Sequence, residues 1–288
     1  MDRMLIDRKA LLRNAMQAAA DLRDATGFDQ FDPADPYVAA AKLSVKVVFL
    51  GASMEGFYFK GPPGRILLSG LRPVPRRAFT CAHELGHHWF GHGSTMDELK
   101  EDERSESNKP EEVLANGVAA FFLMPTAGIR GAFARRGWNI AAPTPVELFV
   151  VACEFGVGYL TLLNHLSYTL REINGTTRTE LGKWSPQRVR RLLLSEEYDS
   201  LIVVDCHARA ATFDVEKGAA ILLPLDARAD GVALEHIRTS AEYEVYRAAK
   251  RGCASITREN QAFEVRVMPK LYEGPAGNRF LEDPDENN

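Results

Sequence analysis

The chain has 288 residues, of which 45% are hydrophobic and 26% charged, and its formal net charge is −4. This composition is ordinary for a globular protein of two or three domains, and the slight acidity gives no general reason to bind nucleic acid or an anionic membrane. The four cysteines are scattered and form no CxxC pair, which argues against a structural zinc knuckle or a redox dithiol. The N-terminal residues lack the apolar core of a signal peptide and no run approaches 18 apolar residues, so we expect a cytoplasmic protein without a membrane span.

The first part of the chain mixes helical and β-like patterns. Apolar residues at helical spacing predict a helix over residues 5–25 that closes at Gly27, and YVAAAKL predicts a second, shorter helix. Three β-like runs follow, namely SVKVVFL, EGFYFK and GRILLS, separated by GAS and GPPG. The next helical stretch contains most of the histidines and ends in the glycines of FGHGS.

Residues 97–112, DELKEDERSESNKPEE, nearly lack large apolar side chains and predict an exposed loop. Pro110 suits the first turn of the next helix, EEVLANGVAAFFLM, which Pro125 ends. Helical patterns continue to about residue 195. From Ser200 the β-like runs LIVVDC, ATFDV, GAAILLPL and AFEVRVM predominate, with one helix-like interruption, SAEYEVYRAAKR.

The middle region contains a helix-turn-helix-like pattern, ELFVVACEFGVGYLTLLNHLSY, with its turn at Gly156. Its second helix offers only Asn164 and His165 as base-reading side chains, so a structural or substrate-docking role is favoured over DNA reading. The clearest basic cluster, Arg188, Arg190 and Arg191, is interpreted first as a solvated helix face or helix-end charge.

Four of the seven histidines lie in residues 80–92, TCAHELGHHWFGH. His83, Glu84 and His87 form an HExxH motif, in which two imidazoles four residues apart project from the same side of a helix and can bind one metal ion. Glu84 can act as the general base that takes a proton from a water molecule activated by zinc. The alternative is a set of surface histidines, but the preceding apolar segment AFTCA indicates a helix that enters from a core.

A third ligand must come from outside this motif. The pattern HExxHxxGxxH requires a glycine and a histidine where Phe90 and Gly93 stand, and on a continuous helix His92 points roughly 180° away from His83. His88 also faces away from His87, so both His88 and His92 are predicted to be capping or solvated groups.

Glu111 and Glu112, which open the following helix, are the other candidates for the third ligand. The face below Glu112 carries small residues that allow close approach of two helices, whereas the face below Glu111 resembles core packing. Glu112 could instead complement the helix dipole as a first-turn acid, and geometry alone leaves the choice open.

The segments FTCAHELGHHWFGH and EEVLANGVAAFFLMP resemble the ImmA/IrrE family of bacterial zinc metallopeptidases. In that family the third zinc ligand is the glutamate three residues before an Ala-Asn pair, which corresponds to Glu112 before Ala115-Asn116. The resemblance covers residues 35–125 well and residues 126–195 loosely. Cys81 and Gly117-Val118 depart from the family pattern without removing a ligand.

The resemblance implies an α+β fold of three domains. These are a zincin-like peptidase domain at residues 1–125, a helical, helix-turn-helix-like domain at 126–197, and a β-rich, possibly GAF-like sensor domain at 198–288. It also implies a site-specific endopeptidase that cleaves a helix-turn-helix transcriptional repressor and so derepresses stress-response or mobile-element genes. Zinc is the expected metal, with manganese not excluded, and a single-stranded nucleic acid or a small molecule is the candidate activator.

An edge strand commonly holds the substrate of this family in extended form, and the candidate residues here are Glu55, Gly56, Phe57 and Tyr58. A strand covered by its own domain is the competing interpretation. The alternative to the enzyme is a DNA-binding regulatory module whose metal site is structural.

Overall fold

The computed structural model describes residues 7–93, 95–97, 109–259 and 261–282. It divides into two compact units. The first comprises Met1–Gln30, Ala34–Pro125 and Glu273–Ala276, and the second comprises Phe31–Pro33, Thr126–Tyr272 and Gly277–Asn288. The mixed α+β composition is confirmed, whereas the separation of residues 126–197 from 198–288 stays a prediction. Most of the predicted charged loop lies outside the described residues.

The helices of the first unit are α1 (Arg8–Thr26), α2 (Pro36–Lys42), α3 (Val74–Trp89) and α4 (Pro110–Leu123). The start of α1 is capped by the carboxylate of Asp7, and its end is closed by Gly27 in the left-handed conformation. Pro110 occupies the first turn of α4 as predicted. Buried Arg23 of α1 donates a hydrogen bond to the carbonyl of Phe122 in α4, so the two helices are joined by a polar contact as well as by packing.

The sheet of the first unit has five strands: β1 (Lys46–Leu50), β2 (Gly56–Phe59), β3 (Arg65–Ser69), β4 (Thr95–Asp97) and β13 (Gly274–Pro275). Their order is β13-β1-β3-β2-β4, and β1 and β3 form the parallel pair. The prediction that Glu55–Tyr58 belongs to an edge strand is wrong. Residues 56–58 pair with β3 on one side and with β4 on the other, so both backbone edges of β2 are hydrogen-bonded within the sheet.

The second unit begins with helices α5 (Thr126–Arg135), α6 (Pro145–Glu154), α7 (Tyr159–Asn164), α8 (Gly175–Gly182) and α9 (Pro186–Leu193). A π-helical segment, His165–Thr169, continues α7. Thr144 and Glu147 form a capping box at the start of α6. Helix α6 and the helix continued by α7 differ in direction by 104° across a break that contains Gly156.

The strands of the second unit are β5 (Leu201–Val203), β6 (Thr212–Glu216), β7 (Ala220–Leu223), β8 (Arg228–Asp230), β9 (Leu234–Thr239), β10 (Glu244–Ala248), β11 (Gly252–Arg258) and β12 (Gln261–Met268). They form two four-stranded sheets, β5-β7-β10-β9 and β6-β12-β11-β8, whose buried side chains share one hydrophobic core. The helix predicted for SAEYEVYRAAKR is wrong, because residues 244–248 form β10 between β7 and β9. The four predicted β-like runs are confirmed as β5, β6, β7 and β12.

A buried ionic network joins α5, α6 and the segment after β5. Arg136 donates to both carboxylate oxygens of Asp205 at 2.6 and 2.7 Å, and its Nη1 lies 2.8 Å from Glu154 Oε2. Arg135 donates to the other oxygen of Glu154 at 2.7 Å. The side chains of Arg136 and Glu154 are both only 1% exposed, so these charges neutralise each other away from water.

By length and composition, one helical stretch of the described chain, Pro110–Arg135, could cross a membrane, and the bent pair α6 and α7 would be a second candidate. In the most apolar window of Pro110–Arg135, 67% is buried inside the protein, as in a core helix.

Candidate metal centre

The structure brings His83, His87 and Glu112 together. The two histidines lie four residues apart on α3 and are completely buried, and Glu112 lies in the first turn of α4 with a side chain 15% exposed. Glu111, its neighbour, is exposed. Helix geometry alone did not decide whether Glu111 or Glu112 is the third ligand, and the structure shows that Glu112 faces the histidines.

The three donor atoms are spaced as ligands of one ion. His83 Nε2 and His87 Nε2 are 3.1 Å apart, and the carboxylate oxygens of Glu112 lie 3.5 Å from the first and 3.6 Å from the second. Atoms bound at about 2.0–2.1 Å to a tetrahedral zinc ion would be about 3.3 Å apart. Two imidazoles and one carboxylate are also a set of three protein ligands found in catalytic zinc sites, which keep a fourth position open.

Both histidines make a hydrogen bond through the nitrogen that faces away from the cluster. His83 Nδ1 lies 3.1 Å from Asn116 Oδ1, so it donates to this oxygen and leaves Nε2 as the electron-pair donor. His87 Nδ1 lies 2.9 Å from His92 Nδ1. The sequence pattern assigns no role to Asn116. Its position one turn after Glu112, on the same face of the helix, nevertheless indicates that it can reach the same cluster.

Gly86 allows α3 and α4 to approach closely. A Cβ atom at this position would lie 2.9 Å from the Cα atom of Ala115 and 3.2 Å from its carbonyl oxygen. Since Ala115 is one turn after Glu112, the missing side chain of Gly86 permits the helix spacing at which Glu112 reaches His83 and His87.

Glu84 is buried next to these ligands and faces β2. A Cβ atom at Gly56 would lie 2.6 Å from Glu84 Oε1 and 2.5 Å from Thr80 Cγ2, so the carboxylate of Glu84 sits directly against the strand backbone. Tyr58, which is also in β2, faces α3 as well, and its hydroxyl lies 2.8 Å from His88 Nδ1. Glu55 instead forms ion pairs with Arg72 and Arg76 at 2.9 and 3.1 Å.

His88 and His92 do not contribute to the cluster of three ligand atoms. Burial lowers the pKa of His88, and burial followed by the proximity of His87 lowers the pKa of His92. Both histidines lie outside the cluster as predicted, but their rings are not simply solvated, since His88 Nδ1 bonds to the hydroxyl of Tyr58 and the ring of His92 contacts His87. Helix α3 ends at Trp89, so the angle calculated for a continuous helix does not apply to His92.

The side chains considered for DNA reading are engaged within the protein. His165 is buried, and Asn164 accepts a hydrogen bond from Arg178 at 2.9 Å. Among the basic cluster, Arg188 stacks over Trp184 at 4.0 Å and Arg191 pairs with Glu197.

One comparison with known proteins falls on the part of the chain that carries the metal centre. The family model Peptidase_M78, described as the IrrE N-terminal-like domain, matches residues 40–167. A comparison with curated protein sequences found no match. Among similar solved structures is a Mycobacterium tuberculosis transcriptional regulator, with 20% sequence identity and a TM-score of 0.36. The alignment covers 54% of this chain and 46% of that chain, so this chain spans about half the length of that relative.

The matched residues include the strands β1–β4 together with α3 and α4, which supply every residue of the His83, His87 and Glu112 cluster. The resemblance inferred from the sequence is thereby confirmed for residues 40–167, which match the IrrE N-terminal-like domain of the Peptidase_M78 model.

Proposed function

We propose that the chain is a zinc-dependent endopeptidase that cleaves a helix-turn-helix transcriptional repressor and so derepresses stress-response or mobile-element genes. The observation that carries the peptidase proposal is the convergence of two imidazole nitrogens and a carboxylate within 3.6 Å, beside buried Glu84 on the same helix. A structural zinc site has four protein ligands, whereas within the described part of the chain this cluster offers three.

His83 and His87 would hold the ion through Nε2, and Glu112 through its carboxylate. A zinc ion bound there supplies a Lewis acid that polarises the peptide carbonyl and makes a water molecule acidic enough to lose a proton near neutral pH. The donor set suits zinc, and manganese is the competing occupant.

Glu84 performs the proton transfers. Its carboxylate accepts a proton as the oxygen of water forms a bond to the peptide carbonyl carbon, and then delivers that proton to the amide nitrogen as the C–N bond breaks. The products are a new carboxyl terminus and a new amino terminus, so the atoms of one water molecule are accounted for. Because Glu84 is excluded from solvent and lies against Gly56, its position is fixed by packing.

The resemblance of residues 40–167 to the IrrE N-terminal-like domain supports the choice of a repressor as substrate and a cytoplasmic location. The family comparison also motivates a zincin-like arrangement of the first unit, a helix-turn-helix role for α6 and α7, and a GAF-like sensory role for the β-rich region, with a single-stranded nucleic acid or a small molecule as activator. The angle of 104° between α6 and the helix continued by α7 is of the size found in helix-turn-helix units.

The test is incubation of the zinc-loaded or manganese-loaded protein with the helix-turn-helix repressor encoded nearest to its gene, followed by mass spectrometry of the fragments. We expect one cleaved bond with the native protein and none with Glu84→Gln, which should keep its metal. Cleavage by Glu84→Gln at the native rate would contradict the mechanism. An intact repressor after incubation with the native protein would contradict the proposed substrate.

The alternative, a DNA-binding module with a structural metal, is less well supported because its two candidate base-reading side chains are engaged within the protein: His165 is buried and Asn164 is bonded to Arg178. It predicts a salt-dependent DNA affinity that survives metal removal and falls in Arg190→Ala.

A further inference from the structure

The end of α3 turns the chain back over the metal-binding residues. The helix ends at Trp89, and Gly91 adopts a left-handed φ of 66°. The backbone N–H of His92 then donates to the carbonyl oxygen of His87 at 3.0 Å. This is the six-residue bond of a Schellman motif, in which glycine is favoured because a side chain would strain the left-handed residue.

The turn places the imidazole of His92 against that of His87. Their Nδ1 atoms are 2.9 Å apart, and their ring centroids are 5.1 Å apart. On its other side the ring of His92 is stacked against Phe90, with centroids 5.6 Å apart and planes inclined by 18°. The backbone bond to the carbonyl of His87 and the stacking on Phe90 therefore fix the position of the His92 ring independently of its contact with the His87 ring.

A metal-binding histidine usually donates its second ring N–H to a fixed acceptor, which sets the tautomer and the orientation of the ring. His87 directs Nε2 toward His83 and Glu112, so its Nδ1 is the atom that carries hydrogen. The acceptor within 2.9 Å of that atom is His92 Nδ1. For His83 the corresponding acceptor is Asn116 Oδ1.

We propose that His92 is a positioning residue for the metal ligand His87. It accepts the hydrogen bond of His87 Nδ1–H and thereby keeps His87 Nε2 directed at the metal. This inference rests on the metal site of the proposed function, and it is independent of peptide cleavage.

His88 provides a matched control, because it is a second non-ligand histidine at the same helix end. Its Nδ1 bonds to the hydroxyl of Tyr58 at 2.8 Å, and Tyr58 is not one of the metal-binding residues. The side chain of asparagine provides a conservative replacement for His92. Its Oδ1 atom is at the same number of bonds from the backbone as histidine Nδ1 and is also a hydrogen-bond acceptor.

The experiment measures the zinc affinity of the full chain by competition with a chromophoric chelator. His92→Phe keeps an aromatic ring beside Phe90 but lacks the acceptor, and we expect its zinc affinity to fall by about 10- to 100-fold. His92→Asn and His88→Phe should both stay within about threefold of the native affinity, since neither removes a partner of a metal ligand. Thermal unfolding of each variant in excess chelator verifies that the metal-free protein is folded.

The proposal is overturned by any of three results: native affinity in His92→Phe, equal weakening in His92→Asn and His92→Phe, or equal weakening in His88→Phe and His92→Phe. The measurement uses zinc alone as its probe and needs no peptide substrate. An unchanged affinity in His92→Phe would therefore reject the role of His92 without affecting the peptidase proposal, whereas a failure to cleave the repressor would do the reverse.

Discussion

The substitution Gly86→Ala tests whether close packing of α3 on α4 makes the metal site. An added Cβ would lie 2.9 Å from Ala115 Cα and 3.3 Å from Val118 Cβ. Because favourable carbon–carbon contacts begin at about 3.5 Å, α4 would have to move by about 0.6 Å at Ala115. If Glu112 moved by the same distance, the shift would exceed the roughly 0.5 Å within which metal-binding side chains must keep their positions.

The expected magnitude follows from two opposing contributions. Overpacking costs about 1–3 kcal/mol, while replacing glycine by alanine inside a helix recovers up to about 1 kcal/mol. We therefore expect the unfolding free energy of the metal-free protein to fall by about 0–3 kcal/mol. If α4 moves away from α3 in the metal-free protein and zinc binding draws the two helices back together, the overpacking cost opposes binding, and zinc affinity should fall by about 5- to 150-fold.

Gly131→Ala is the matched control for this substitution. Gly131 lies within α5, where an added Cβ would approach only Nη1 of Arg135, at 3.3 Å, while the bond from Arg135 to Glu154 is made by Nη2. This variant should gain up to about 1 kcal/mol and bind zinc like the native protein. Urea unfolding in chelator and a zinc competition titration measure both quantities. Native zinc affinity in a Gly86→Ala protein that is folded would refute the reasoning.

Three further predictions concern residues at and outside the metal centre. Gly56→Ala should lower the turnover number for repressor cleavage about 10-fold or more, because the added methyl group displaces Glu84, and zinc affinity should stay within about threefold of native. A loss of zinc affinity would instead show that Gly56 acts on the metal ligands. Glu154→Gln should lower the unfolding free energy in urea by about 3 kcal/mol, because the buried guanidinium of Arg136 keeps only one carboxylate partner, and a change below about 1 kcal/mol would contradict this. Burial raises the pKa of Tyr159 to about 12, so the native state retains a proton that the unfolded chain loses above about pH 10. Stability should therefore be constant with respect to this group below pH 10 and fall by up to about 2 kcal/mol toward pH 12, and Tyr159→Phe should show a shallower decline in pH-dependent urea unfolding.

The sequence predicted the parts of the metal centre that depend on local helix geometry. His83 and His87 are separated by four residues within one continuous helix, so their common direction follows from the helix repeat alone. Glu112 and Glu111 are neighbours in the sequence, and helix geometry could not choose between them. Which glutamate binds the metal depends on how α4 packs on α3. The small residues on the face of Glu112 suggested this packing, and the three-dimensional contacts show it.

Three expectations failed for reasons that involve distant or non-helical contacts. The phase calculated for His92 assumed a continuous helix, but Gly91 ends α3 in the left-handed conformation and reverses the chain. The family resemblance suggests an edge strand at β2, but Thr95–Asp97, which has no β-like pattern of its own, pairs with it, in agreement with the competing interpretation of a covered strand. The sequence SAEYEVYRAAKR has helical spacing, but pairing with two neighbouring strands overrides this local preference.

The claim that His83, His87 and Glu112 hold one divalent ion is tested most directly by comparing two adjacent glutamates. Glu111→Gln and Glu112→Gln remove the same charge from the first turn of α4, so their effects on the helix dipole are matched. In a zinc titration of the metal-free protein we expect one ion per chain, an affinity close to native in Glu111→Gln, and a loss of about 100-fold or more in Glu112→Gln. Equal affinities of the two variants, or weaker binding by Glu111→Gln than by Glu112→Gln, would contradict this metal site.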